Sequence, residues 1–237
     1  MGQSYFIWKN MDCRNLGCKL SAPAPIIRPE ERVQHIQIPG RSGDMTLLEG
    51  ENIFNSYIQT VTLLAKGAAR MGEIYSWLRG SDYVTFSGEP DRKQSARIIG
   101  AITLNKHSKN QDWWEGEVQF YCQPLKMLLT DPVVTVTSSG TSMINRGDVT
   151  AKPLIKLTAS ASSATVAAGG NSITVTGLTS SSVYYIDSDS QEVYNADRSV
   201  ILTAGSTGAF PVLTCGSNSV TGSGWSKLEI NRRERFL

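Results

Sequence analysis

Few side chains in this 237-residue sequence have the type and spacing to do chemistry. Cys13 and Cys18 form a C-x4-C pair, the start of a thiolate metal site, but Cys122 and Cys215 stand far from it and from each other. A structural zinc site needs two close pairs brought together, so the four cysteines are expected to be free thiols. A Cys13–Cys18 disulfide fits the spacing but is disfavoured in a reducing cytosol. His35 falls in a strand-like stretch and His107 in a polar loop, and such lone histidines are read as surface or packing residues. Asp187-Ser188-Asp189-Ser190-Gln191-Glu192 opens like a calcium loop. It lacks the sixth-position glycine and the twelfth-position glutamate that an EF-hand loop requires. Asp and Ser are instead turn formers, here between the strands 183–186 and 192–194.

The nucleotide, zinc-protease and serine-hydrolase signatures G-x4-GK[ST], G-x-G-x-x-G, H-E-x-x-H and G-x-S-x-G are all missing, so no catalytic site, metal or cofactor is expected. Aromatic rings are the remaining binding candidates. Tyr184, Tyr185, Tyr194 and Trp225 invite a sugar-stacking reading, although neighbouring Tyr184 and Tyr185 must face opposite sides of a strand. Trp113 and Trp114 divide in the same way, and an outward tryptophan beside a long hairpin loop fits a protein interface.

The elements that must position these residues are mostly strands. Alternation runs through 56–63, with Tyr57, Val61 and Leu63 on one face. It returns in 97–103 and 115–121, either side of the polar loop 105–112, which predicts a hairpin. One helix is predicted over 66–79, from the apolar stripe Ala68, Met71, Ile74, Tyr75 and Leu78, with Gly80 after it as a left-handed stop. Gly67 and Gly72 weaken it by about 1 kcal/mol each relative to alanine, so packing must hold it. Many short strands and a single helix predict a mainly β protein of two sandwiches or barrels.

Composition changes near Asp131-Pro132, where the residue before proline is pushed out of helix. Residues 1–130 carry 15 Lys and Arg against 13 Asp and Glu, and four of the five tryptophans. Residues 131–237 carry 8 charges of each sign and long Ser/Thr/Gly/Ala stretches that alternate with Ile173, Val175, Val183 and Tyr185. Domains are therefore expected at 1–131 and 132–237. A formal net charge of +2 is no footprint of a dedicated nucleic-acid binder. The start has no signal-peptide pattern, and Phe6 stands where myristoylation wants Ser or Thr. No run approaches the roughly 20 apolar residues of a membrane span, so a soluble protein made in the cytosol is expected.

An ordered set of short patterns then points to a family. The chain ends with Phe210-Pro211-Val212-Leu213-Thr214-Cys215-Gly216-Ser217-Asn218, a Gly/Ser turn, a short alternating strand and the Arg-rich terminus Arg232-Arg233-Glu234-Arg235-Phe236-Leu237. Upstream stand Pro29-Glu30-Glu31-Arg32-Val33, Ile36-Gln37-Ile38-Pro39-Gly40-Arg41-Ser42-Gly43-Asp44, Trp77-Leu78-Arg79-Gly80 and Thr85-Phe86-Ser87-Gly88-Glu89-Pro90-Asp91. Gly116-Glu117-Val118-Gln119-Phe120-Tyr121-Cys122-Gln123-Pro124, Asn145-Arg146-Gly147 and Lys152-Pro153-Leu154-Ile155 complete the set. In this order the chain resembles the distal tail protein (Dit) family of long-tailed siphophages and their prophage relatives.

The resemblance implies an N-terminal β-sandwich bearing a helix and an extended hairpin, followed by a C-terminal galectin-like β-sandwich. It implies a homo-hexameric ring at the virion tail tip, assembled in the host bacterial cytoplasm. The ring would join the tail tube protein and tape measure protein to a tail-associated fibre or lysin protein, and let DNA pass without tight binding. Arg41, Trp113 and Trp114 are the candidate subunit contacts. Two other readings stay open: a stand-alone glycan-binding module, marked by an exposed aromatic on a concave sheet face, and a hydrolase with acids clustered in one cleft.

Overall fold

The computed structural model describes residues 4–48, 50, 52–107 and 112–237. The Met1-Gly2 start and residues 108–111 of the polar loop lie outside them. The chain divides into two compact units, one ending at Leu129 and taking in Leu237, the other spanning Thr130–Phe236. It is mainly β and antiparallel, with a single α-helix among the described residues. No helix among them is long and apolar enough to cross a membrane.

The first unit holds strands β1 (Phe6–Trp8), β2 (Met11–Asp12), β3 (Cys18–Leu20), β4 (Val33–Gln37), β5 (Asp44–Leu48), β6 (Tyr57–Lys66) and, after helix α1 (Met71–Trp77), β7 (Ser81–Phe86), β8 (Arg92–Ile99), β9 (Asn105–Lys106) and β10 (Trp113–Leu128). The main sheet runs β2-β1-β7-β8-β10-β6-β3, with β9 also on β10. Its two ends approach one another, since the Leu20 N–H donates to Ser4 O at 2.9 Å. The sheet thus folds over one core, to which both ends contribute. Phe120 lies at the centre, edge-on to Phe6, Trp8 and Phe86 with ring centroids 5.3, 5.5 and 5.6 Å away. Gly116 is needed where it stands because a Cβ there would strike the Thr103 carbonyl, which crosses β10 at that point.

The helix is shorter than the predicted 66–79. Lys66 stays in β6, opposite Trp113. Gly67 then takes φ +75° and donates its N–H to Asp112 O at 2.7 Å, which ends the strand without starting a helix. The first turn has no side-chain cap. Ile74 and Leu78 are buried and Met71 partly so, but Ala68 and Tyr75 of the predicted stripe are exposed, and Trp77 is buried instead. The indole N–H of Trp77 donates to Trp8 O and that of Trp8 donates to Trp77 O, each at 3.1 Å. Trp77 also stacks on Phe6 at 5.4 Å. A seven-residue helix is marginal alone, so these contacts hold it.

Of the predicted hairpin with arms 97–103 and 115–121, residues 97–99 end β8 and pair with 119–121 of β10, whereas 100–104 is not strand and the short β9 pairs with Trp114 and Glu115. A second hairpin, β4–β5, stands off the main sheet as a two-stranded sheet of its own. The second unit packs two five-stranded sheets around one core. One sheet orders β11 (Val133–Val136), β20 (Trp225–Asn231), β13 (Leu154–Ala159), β16 (Val183–Asp187) and β17 (Glu192–Asn195). The other orders β12 (Thr141–Asn145), β19 (Gly216–Ser223), β14 (Ser163–Ala168), β15 (Asn171–Thr176) and β18 (Ser206–Gly208). Ile155, Leu157, Ile186, Leu228 and Ile230 of the first meet Val166, Ile173, Val175 and Val220 of the second. In β16 the inward residues are Tyr184 and Ile186, so Val183 and Tyr185 lie on the outer side.

Candidate subunit interface

The detached arm is the part of the first unit that its own core does not cover. Ladder pairs run from Val33↔Leu48 to Gln37↔Asp44. Below them the Arg32 N–H donates to Ile53 O at 2.9 Å and the Asn55 N–H to Glu30 O at 2.8 Å, while Phe54 is buried, so the arm is anchored at its root. At the tip, Gly40 and Gly43 adopt φ +82° and +80°, the left-handed conformations a tight reversal requires. Arg41 sits between them and is exposed, with its N–H donating to Ile38 O at 3.1 Å. The guanidinium is thus carried at the end of a narrow projection, where a bidentate carboxylate contact is sterically open.

Trp113 and Trp114 open β10, on opposite faces, so they and Arg41 belong to separate elements. Trp114 packs against the core edge. Trp113 lies on the other face with Lys19 Nζ 4.5 Å from its ring centroid, and Lys106 Nζ is 6.0 Å from that of Trp114. Both rings remain half-buried. A row that sequence reading missed lies further along the same outer face, where Ile58, Tyr121 and Arg97 stand side by side on β6, β10 and β8. All three are exposed. Period-two alternation reports that a strand has two faces, but not which of them a fold leaves bare.

The other candidate residues fall into structural roles. Cys13, Cys18 and Cys122 are buried and free, and burial pushes their thiols up to about 11, 12 and 12. No group of three or more His, Cys, Asp or Glu able to hold a metal occurs among the described residues. His35 Nδ1 lies 3.4 Å from Thr46 Oγ1 on the arm, and His107 Nε2 lies 3.7 Å from Glu115 Oε2. Asp187 closes its turn by accepting the N–H groups of Asp189 and Ser190, and it accepts Arg233 at 2.7 and 3.1 Å. Burial pulls its carboxyl up, but the Arg233 and backbone hydrogen bonds outweigh that and hold it below the usual range.

The aromatic candidates of the second unit face internal partners. The Tyr184 hydroxyl accepts the Thr179 N–H at 2.9 Å, and the Trp225 indole donates to Thr165 O at 3.1 Å. Tyr185 stacks on Tyr194 at 5.5 Å, and Arg198 lies 4.2 Å from the Tyr194 ring centroid. An open cleft of about 470 Å³ is lined by Thr179, Ser182, Tyr184, Asn195 and Asp197. It holds one carboxylate, Asp197, which accepts both the hydroxyl and the N–H of Ser199 and is held low by them. A lone carboxylate kept ionised this way has no acid partner for hydrolysis.

No protein-family model matches the sequence, and no curated protein matches it. The fold does have a counterpart. Superposition on the crystal structure of the phage SPP1 Dit (gp 19.1) protein, titled a paradigm of the hub adsorption apparatus in phages infecting Gram-positive bacteria, gives a TM-score of 0.80 over 100% of both chains at 16% identity. The chain has the Dit fold. The match covers the full length of both chains. At this identity the correspondence lies in backbone architecture, which agrees with the ordered but individually short patterns found along the sequence.

Proposed function

We propose that this chain is a distal tail hub protein and acts as a structural part, not an enzyme. Six copies close into a ring at the end of a phage tail tube. The first unit builds the ring, and the second unit is a galectin-like sandwich. The ring adapts the tube and tape measure protein to a tail-tip fibre or lysin protein, and DNA leaves through its central channel.

The full-length fold match to a phage hub protein is the observation that carries this reading. Local chemistry supports it in two ways. The arm offers an apolar, Arg-tipped projection of the kind a closed ring uses in a heterologous contact between unlike surfaces. The described cleft in the second unit lacks a paired acid and base. Negative-stain electron microscopy of the concentrated protein tests the reading. Six-fold rings with a hole wide enough for duplex DNA are expected, and particles of one subunit at every concentration would count against it.

A further inference from the structure

The open cleft of the second unit has walls fixed by the chain's own hydrogen bonds. One wall is the turn 177–183 between β15 and β16, the other the turn 195–200 after β17. In the first, the Ser181 N–H donates to Ala159 O at 2.8 Å, the Ser182 N–H to Thr179 O at 3.1 Å, and the Thr179 N–H to the Tyr184 hydroxyl at 2.9 Å. In the second, Asn195 accepts the Val200 N–H at 3.0 Å and donates to Ser199 Oγ at 2.8 Å. Asp197 Oδ1 accepts both the hydroxyl and the N–H of Ser199. The backbone is therefore set before any ligand arrives, which lowers the ordering cost of binding.

What those bonds leave over defines the ligand. The Thr179 and Ser182 hydroxyls make no hydrogen bond among the described residues, and Asp197 Oδ2 takes no part in the Ser199 bonds. The Tyr184 hydroxyl accepts from Thr179 and still has its own proton to donate. Val183 and Val200 add apolar wall, Val200 being 46% exposed. No lysine, arginine or histidine is among the described lining residues, and the neighbouring Arg198 is held over the Tyr194 ring. Phosphate, sulfate and carboxylate ligands thus find no counter-charge. Hydroxyl groups on a C–H framework find acceptors, donors and apolar contact together. The volume of about 470 Å³ lies within the ~300–1,000 Å³ of small-molecule sites. We propose that this cleft binds an uncharged saccharide, with Asp197 accepting from sugar hydroxyls, Thr179, Ser182 and Tyr184 exchanging hydrogen bonds with others, and Val183 and Val200 against its C–H groups. With no second acid beside Asp197, the saccharide is held and not cleaved. The site lies wholly in the second unit and does not depend on the ring.

Saturation-transfer NMR on the full chain tests it. The neutral probes are the methyl glycosides of glucose, galactose and N-acetylglucosamine, and the charged ones are glucuronate, inorganic phosphate and lysinamide. At least one neutral probe should give a saturable signal that no charged probe displaces. Asp197→Asn keeps the oxygen that accepts from Ser199 and turns the other into a donor, so it should weaken that probe about tenfold, as loss of a hydrogen bond to a charged group does. Ser182→Ala should weaken it a few-fold, whereas Ser180→Ala, outside the lining, should leave it unchanged. Thermal melting checks that each variant is folded, and if Asp197→Asn is not, Ser182→Ala decides alone. No neutral probe bound at tens of millimolar, or binding that the folded cleft variants leave untouched, overturns the proposal. Displacement by glucuronate or phosphate overturns it as well, and binding of lysinamide alone overturns it in favour of a basic peptide.

Discussion

Replacing Trp77 tests how the first unit holds its helix. In Trp77→Phe, the ring stacked on Phe6 at 5.4 Å is retained in part, but the indole N–H that donates to Trp8 O at 3.1 Å is lost. The Trp8 carbonyl still accepts the Met11 N–H across the β1–β2 hairpin, so the loss is that of one hydrogen bond, about 0.5–1.5 kcal/mol. The smaller ring also leaves unfilled space, since Trp77 is only 8% exposed, adding about 1 kcal/mol for each missing methyl-sized void. Together these give roughly 1.5–2.5 kcal/mol. For a unit of this size, between the small and large classes of domain, each kcal/mol lowers the midpoint by about 3–5 °C, so a fall of roughly 5–12 °C is expected. Thermal unfolding followed by tryptophan fluorescence and circular dichroism measures it. Tyr75→Ala, on the exposed side of the same helix, should stay within about 0.5 kcal/mol of wild type, as surface substitutions do. A Trp77→Phe protein that melts with the wild type, or a Tyr75→Ala protein that falls as far, would refute the reasoning.

Three further outcomes follow from the same structure. A thiol-reactive dye should label Cys215 promptly in the native protein and reach Cys13, Cys18 and Cys122 only on unfolding, because those three are buried and their thiols are pushed up to about 11–12. Asp187→Asn should flatten part of the acid limb of the stability curve. The wild-type carboxyl is held below 3.8, so its stabilisation is complete above that value and lost as pH falls through the lowered folded pKa. Urea unfolding at a series of pH values would read this, and an unchanged slope below pH 4 would exclude the Asp187–Arg233 pair as its source. For the proposed channel, assembled rings should bind duplex DNA only weakly in a low-salt gel shift, since a lysine- and arginine-rich wall would release counterions and hold the duplex. Submicromolar binding would contradict a non-sticky passage.

The β architecture and its turns were legible because they rest on local chemistry. Asp187 and its neighbours form the turn that their side chains suit. Gly80 is left-handed as expected, with φ +82°, but the helix has already ended at Leu78, so this glycine leads the chain into β7 and does not cap the helix. What the sequence hid depends on partners far along the chain. The helix start moved because Gly67 bonds to Asp112, and Trp77 is inside because Trp8 lies 69 residues away. The phase of β16 also escaped pattern reading, since alternation places Tyr184 and Tyr185 on opposite faces without saying which one turns inward. For the candidate interface, Arg41 was legible from its glycine-flanked loop. The bare arm face of Ile36 and Met45 was not, because an apolar alternating strand reads the same whether or not a core covers it. The Ile58–Tyr121 pair escaped for the opposite reason, as an exposed face on strands whose other side is core.

The central claim is assembly, and the mass of the purified chain in solution tests it most directly. One chain is 25.8 kDa. Light scattering coupled to size exclusion, over rising concentration at moderate salt, should show the mass climbing to six times that value and levelling there. A mass that stays at one chain up to the highest concentration reached, with the fold intact by circular dichroism, would contradict the account.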